Sequence, residues 1–212
     1  MAVEVGGHRI GLVRPESSES LINEADFERD ERLPYWAELW PSALILARQV
    51  AALDGAGRSM LELGCGIGLV AAAASRAGFD VTATDYYADA LLFTSLNAAR
   101  NSGREPHVRE LDWRSIPADL GRFDVIVASD VLYERRYPSL IADVVARALA
   151  PDGIALIADP GRIAAPELPG ECTARGLTIR ERAQIAFAEG DIRQTIDMIT
   201  IAWAPPHSSR RK

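Results

Sequence analysis

Leu61-Glu62-Leu63-Gly64-Cys65-Gly66-Ile67-Gly68, LELGCGIG, sets three alternating glycines directly after a short apolar run. Met60–Leu63 reads as a buried strand, and Leu69-Val70-Ala71-Ala72-Ala73-Ala74 opens a strong helix. The glycines therefore fall in a strand-to-helix turn, where a backbone without side chains lets a ligand approach closely. Phe79–Thr84 reads as a second strand that delivers Asp85, 21 residues after Gly64. An acidic residue about 20 positions on is where a nucleotide-binding α/β fold grips ribose hydroxyls.

The spacing is GxGxG rather than the GxGxxG of dinucleotide enzymes. Leu69 stands where the third dinucleotide glycine would close helix against strand. Glu62 lies two residues before the first glycine, and a carboxylate there repels a pyrophosphate. It suits a cationic ligand instead, such as an amino-acid ammonium beside a sulfonium. That combination points to S-adenosylmethionine and away from NAD.

The chain has 212 residues, enough for one domain with short extensions, and 48% hydrophobic content supplies a single core. A formal net charge of −7 argues against a nucleic-acid partner, whose phosphates need a basic face. Arg210-Arg211-Lys212 reads as a solvated basic tail. Met1–Leu12 lacks the pattern of a signal peptide, and no apolar run reaches spanning length, so no membrane partner is expected. Cys65 and Cys172 have no metal spacing, and His8, His107 and His207 are isolated, so no metal is expected. Two unpaired thiols fit the cytoplasm.

Strand and helix patterns alternate through the middle of the chain, which calls for a mostly parallel sheet covered on both faces. Ala88–Asn101 reads as a helix with Ala88, Leu91, Leu92, Ser95, Leu96 and Ala99 on its apolar stripe and Gly103 as its cap. His107–Leu111 is a short third strand, and Phe123–Ser129 (FDVIVAS) a central fourth. Pro138 suits a first helical turn, with Leu140, Ile141, Val144, Val145, Ala148 and Leu149 on its apolar face. Pro151-Asp152-Gly153 reads as a turn before a fifth strand, Ile154–Ala158. Leu177–Ala188 and Ile192–Trp203, joined by Glu189-Gly190-Asp191, form an antiparallel hairpin. This is an α/β, Rossmann-like architecture with an antiparallel C-terminal hairpin.

Three units follow: an N-terminal extension over 1–33, a domain over 34–204 and a tail over 205–212. Glu16–Arg32 is charged throughout and reads as a solvated lead-in with few apolar groups for a core. Pro34-Tyr35-Trp36-Ala37-Glu38-Leu39-Trp40-Pro41 packs aromatics before a helix that Pro41 starts. Two roles suit that segment, a hydrophobic clamp and a ligand lid.

Taken in order, PYWAELWP (34–41), LELGCGIGL (61–69), TD (84–85), LDW (111–113) and SDVLY (129–133) resemble the seven-β-strand, class I lysine methyltransferases. The branch that modifies the electron-transfer flavoprotein β subunit is similar, as are the elongation-factor and chaperone enzymes. The resemblance implies S-adenosylmethionine as cofactor and a protein lysine as acceptor. It implies that Gly64, Cys65 and Gly66 give backbone contacts to the methionine part, with Glu62 as an electrostatic partner. Asp85 would hold the ribose, Asp112 and Trp113 the adenine, and Trp40 the cofactor edge. Asp130 and Tyr133 match a DxxY element at the methyl-transfer mouth.

Topology supports that last pair as well. Ligands of doubly wound sheets bind where strand order reverses. Under the topology that the resemblance implies, the first and fourth strands are neighbours there, so Ser129 and Asp130, which end the fourth strand, would face the glycine turn across that crevice. A turn cap remains the structural reading of Asp130, a packed rim that of Tyr133, and a core position that of Trp113. Where the flavoprotein-modifying branch typically continues with glycines, this chain has Pro41-Ser42-Ala43-Leu44. Small-molecule N- or O-methylation on the same fold therefore stays open, as does a non-catalytic SAM-binding module.

Overall fold

The computed structural model describes residues 1–16, 21 and 34–205. Its elements in chain order are β1 (Ala2–Val5), β2 (His8–Gly11), α1 (Pro41–Ala51), β3 (Ser59–Leu63), α2 (Leu69–Arg76), β4 (Asp80–Asp85) and α3 (Ala88–Ser102). They continue with β5 (His107–Glu110), β6 (Phe123–Ser129), α4 (Tyr137–Ala148), β7 (Leu149–Asp159), α5 (Leu168–Ala174), β8 (Leu177–Glu189) and β9 (Ile192–Trp203). Seven strands form one sheet in the order β5-β4-β3-β6-β7-β9-β8. The pairs from β5 to β7 are parallel, and β9 runs antiparallel to both β7 and β8. The expected mostly parallel sheet with an antiparallel C-terminal hairpin is what the chain forms.

Strand periodicity divides the core between two faces. Met60, Val125, Val127 and Leu156 pack with α1, α2 and α3, whereas Leu61, Leu63, Ile126 and Ile157 pack with α4 and α5. The apolar run Val125–Ala128 of β6 and the burial of Met60–Leu63 in β3 suit central strands covered on both sides. Glu62 shares the side of Met60 and so points toward α2. Because β3 pairs with β4 on one flank and β6 on the other, strand order reverses at β3, and a crevice opens at the carboxyl ends there.

Four features differ from the expectations. First, α3 buries Ala90, Leu91, Thr94, Asn97 and Ala98, while Leu92 and Leu96 are 68% and 51% exposed. Specific hydrogen bonds turned this helix away from its apolar count. Thr94 Oγ1 donates to the Gly66 carbonyl at 3.0 Å, and Asn97 Nδ2 donates to the Ile67 and Val13 carbonyls at 2.8 and 2.7 Å. A buried amide that lost such partners would cost more than one exposed leucine.

Second, the first part of the extension expected over 1–33, residues 1–13, contributes to the core. Gly6 and Gly7, both at positive φ, turn β1 into β2, and Val5, Ile10 and Leu12 are buried in the cluster around α1–α3. Asn97 and Asn101 hold this hairpin by accepting from the Val13 and Gly11 N–H groups at 2.8 and 2.9 Å. Most of Glu16–Arg32 and the basic tail lie outside the described residues. Third, Pro151–Gly153 is a bulge inside β7 rather than a free turn. The register passes from Phe123–Leu149 to Val125–Ile154. Fourth, α5, preceded by the 3-10 turn Ala165–Glu167, fills the connection into β8 and buries Leu168 and Cys172.

Candidate active site

Each glycine of the turn has its own reason. Gly64, Gly66 and Gly68 all have positive φ (70°, 55° and 81°). A Cβ on Gly68 would meet the Thr94 Cα at 2.6 Å, and one on Gly66 would meet the Trp36 carbonyl at 3.0 Å. The turn is thus clasped between α3 and the aromatic segment. Four of its N–H groups are consumed internally: Gly64 and Cys65 both donate to the Thr84 carbonyl at 2.9 Å, Gly66 to Asp85 at 3.0 Å and Gly68 to the Cys65 carbonyl at 2.9 Å. Those four donors cannot serve a pyrophosphate.

At the end of β4, Asp85 is buried. Its Oδ2 accepts from Gly66 and its Oδ1 from the Tyr87 N–H at 3.1 Å. Glu62 is 3% exposed, and among the described residues its Oε2 has no hydrogen-bond partner. Burial, reinforced by the charge of Asp85, pushes its carboxyl up to about 8. A cation set beside it would restore the charged form. Cys65 is buried, receives the Thr94 hydroxyl at 3.2 Å, and has its thiol held well above the usual range by burial.

After β5, the Asp112 carboxylate is gripped by the Arg114 guanidinium at 2.7–3.0 Å, a pairing the sequence motif does not announce. Trp113 follows, with its indole edge beside Gly64 and its buried Nε1 lacking a partner among the described residues. A row of edge-to-face rings then runs Trp113–Tyr137–Tyr133–Tyr35–Trp40, with centroids 5.4, 4.9, 5.8 and 6.2 Å apart. Trp36 instead turns inward against Phe93 and Tyr87. Within one segment, Trp36 clamps while Tyr35 and Trp40 face the opening.

Asp130 terminates the β6 edge of the crevice. Among the described residues it is the one non-glycine at positive φ, 59°, a conformation that costs about 1–2 kcal/mol. Three contacts hold it there. Its N–H donates to the Ala158 carbonyl at 2.9 Å, Ser42 Oγ donates to its Oδ2 at 3.2 Å, and Arg162 Nε donates to its Oδ1 at 2.5 Å. Ser42 belongs to the stretch where the chain leaves the glycine-rich pattern of the flavoprotein-modifying branch. Arg162 arrives from the turn after β7, whose Gly161 and Arg162 N–H groups are received by Asp159 at 2.8 Å. Neither residue was in the sequence-derived set. Strand-end position and the Asp-Pro-Gly turn were the only signals for Arg162.

One cavity at the carboxyl ends of β3, β4 and β6 is lined by all eleven sequence-derived residues: Trp40, Glu62, Gly64, Cys65, Gly66, Asp85, Asp112, Trp113, Ser129, Asp130 and Tyr133. Tyr35, Tyr86, Tyr87, Tyr137 and Leu140 line it too. Among the described residues, no group of three or more His, Cys, Asp or Glu is placed to hold a metal, and no helix is long and apolar enough to cross a membrane.

A family model described as a methyltransferase domain matches residues 35–184. Mouse protein-lysine methyltransferase METTL21E is 36% identical over 115 residues, covering 47% of this chain and 46% of that protein. The electron transfer flavoprotein beta subunit lysine methyltransferase of Xenopus laevis is 33% identical over 138 residues, covering 61% and 53%. The chain thus spans about half the length of these curated relatives. A solved TehB-like SAM-dependent methyltransferase from Corynebacterium glutamicum shares the fold, with a TM-score of 0.58, 19% identity and coverage of 85% and 100%. The chain belongs to the methyltransferase-domain family and has the class I Rossmann-like fold.

Proposed function

We propose that the protein is an N-methyltransferase that binds S-adenosylmethionine and methylates a lysine side chain of a protein. The observation that carries this reading is the buried Glu62 carboxyl, with one oxygen unpartnered among the described residues, beside a glycine turn that spends four of its N–H groups internally. That end of the cavity seeks a cation and rejects a phosphate. When bound, S-adenosylmethionine supplies a sulfonium-borne methyl group open to displacement.

The chain's residues then divide the work. Glu62 takes up the ammonium of the methionine part, and Asp85, buried at the end of β4, accepts from the ribose hydroxyls. Gly64, Cys65 and Gly66 shape the floor and contribute carbonyl oxygen rather than N–H. Trp113 walls the adenine, while Asp112 offers it a carboxylate oxygen shared with Arg114. Ser129 and Trp40 bound the cleft between cofactor and acceptor.

Methyl transfer depends on in-line positioning and exclusion of water. Asp130 holds the incoming ammonium, and Tyr133, 37% exposed at the rim, orients the amine as its proton leaves to solvent. The ring row keeps water from the line of attack. A carboxylate beside aromatic faces suits an alkylammonium acceptor, and likeness to protein-lysine methyltransferases supports a protein substrate. The net charge of −7 supports a partner other than nucleic acid, and two buried unpaired thiols support the cytoplasm. Calorimetry with S-adenosylmethionine and with NAD tests the reading: only the first should bind.

A further inference from the structure

Arg162 occupies a cation site. Its guanidinium carbon lies 5.3 Å from the centroid of the Trp40 ring, and its Nε donates to the Asp130 carboxylate. An aromatic face beside a carboxylate also recognises an alkylammonium ion. Trp40 and Asp130 both line the cavity and Arg162 does not, so the guanidinium holds, from outside the lining, the two groups that the acceptor's charge needs.

The arrangement is built for exchange. The Arg162 side chain is 35% exposed against 5% for Asp130, so the guanidinium can leave into water while the carboxylate cannot. Its backbone anchor is independent of that departure, because Asp159 Oδ1 holds the Gly161 and Arg162 N–H groups. Ser42 keeps the second Asp130 oxygen in place. A buried carboxylate stripped of its partner is strongly destabilising, so a neutral molecule cannot take the guanidinium's place.

We propose that Arg162 is a resident plug, holding the alkylammonium site of Trp40 and Asp130 until a cationic acceptor displaces it. The plug makes positive charge a condition of entry, and Arg162 a specificity-determining residue. This rests on the reading that Asp130 receives the acceptor's ammonium.

The test titrates n-butylammonium chloride and n-butanol, at fixed ionic strength, into the wild type, Arg162→Gln, Arg162→Lys and the double variant Arg162→Gln/Asp130→Asn. Nuclear magnetic resonance of the Arg162 Nε–H and the Trp40 indole is the readout. In the wild type, n-butylammonium should shift the Arg162 Nε–H and n-butanol should not. Arg162→Gln should bind n-butylammonium at least about 10-fold more tightly, and the double variant should lose that gain. Arg162→Lys preserves the charge should Arg162→Gln fold poorly, and should bind no more than a few-fold better than wild type. Equal affinity in the wild type and Arg162→Gln, an unmoved Nε–H, or a gain surviving in the double variant would overturn the plug. Calorimetry with S-adenosylmethionine on the wild type separates the outcomes: its failure removes the enzymatic reading, while the n-butylammonium data still judge the plug.

Discussion

Gly66 donates its N–H to the Asp85 carboxylate at 3.0 Å, tying the glycine turn after β3 to the end of β4. The two halves of the sequence signature therefore form one mechanical unit. Asp85→Ala should weaken cofactor binding by on the order of 1.5–3 kcal/mol, through lost charge-assisted hydrogen bonds and a loosened turn. Asp85→Asn keeps an acceptor oxygen and should lose less. An unchanged dissociation constant for Asp85→Ala would place the ribose elsewhere.

Glu62 should govern a pH dependence of the ligand-free protein. Its folded-state carboxyl is raised to about 8 by burial and then by Asp85. A raised carboxyl contributes stability that is complete below the unfolded value near 4.5 and is lost as pH rises through 8. Thermal melts of the wild type should therefore decline across that window, and Glu62→Gln should decline less. Binding of a cationic ligand at pH 7 should release a proton from the wild type, visible as buffer-dependent calorimetric enthalpy, and Glu62→Gln should abolish that release.

Deleting residues 1–33 should destabilise the fold. Val5, Ile10 and Leu12 are 2%, 1% and 3% exposed, and losing three such side chains costs on the order of 5 kcal/mol. Ile10→Ala alone should cost about 2–5 kcal/mol in urea unfolding. A truncated chain with wild-type stability would show the hairpin to be dispensable.

The parts legible in the sequence were those written in local pattern. The glycine turn, the strand that ends at Asp85 and the FDVIVAS strand each carry their meaning within a few residues, and the alternation of strand and helix calls for a mostly parallel sheet. The hairpin at Gly6-Gly7 went unread, although a paired-glycine turn between short alternating segments is a local signal for one. What stayed hidden depends on partners far apart in the chain. The burial of α3 follows from Thr94 and Asn97 reaching residues 28–84 positions away, and Arg162 finds Asp130 across 32. Apolar periodicity has no term for a buried hydrogen bond, so it assigned Leu92 and Leu96 to the wrong side.

Asp130→Asn keeps the size of the side chain but removes the charge that pairs with Arg162 and would receive a lysine. Single-turnover methyl transfer should fall by about 10²-fold or more, with S-adenosylmethionine affinity close to wild type. Tyr133→Phe, which removes only a hydroxyl, should cost less. A normal rate for Asp130→Asn would leave Asp130 as a cap on the left-handed turn at the end of β6.

The most direct measurement incubates the protein with methyl-labelled S-adenosylmethionine and an extract of the organism that encodes it. Labelled protein is then hydrolysed to amino acids. The account predicts label in methylated lysine, and at least about a hundredfold less when Asp130→Asn replaces the wild type. Label confined to small molecules, or an equal yield from the two proteins, would contradict it.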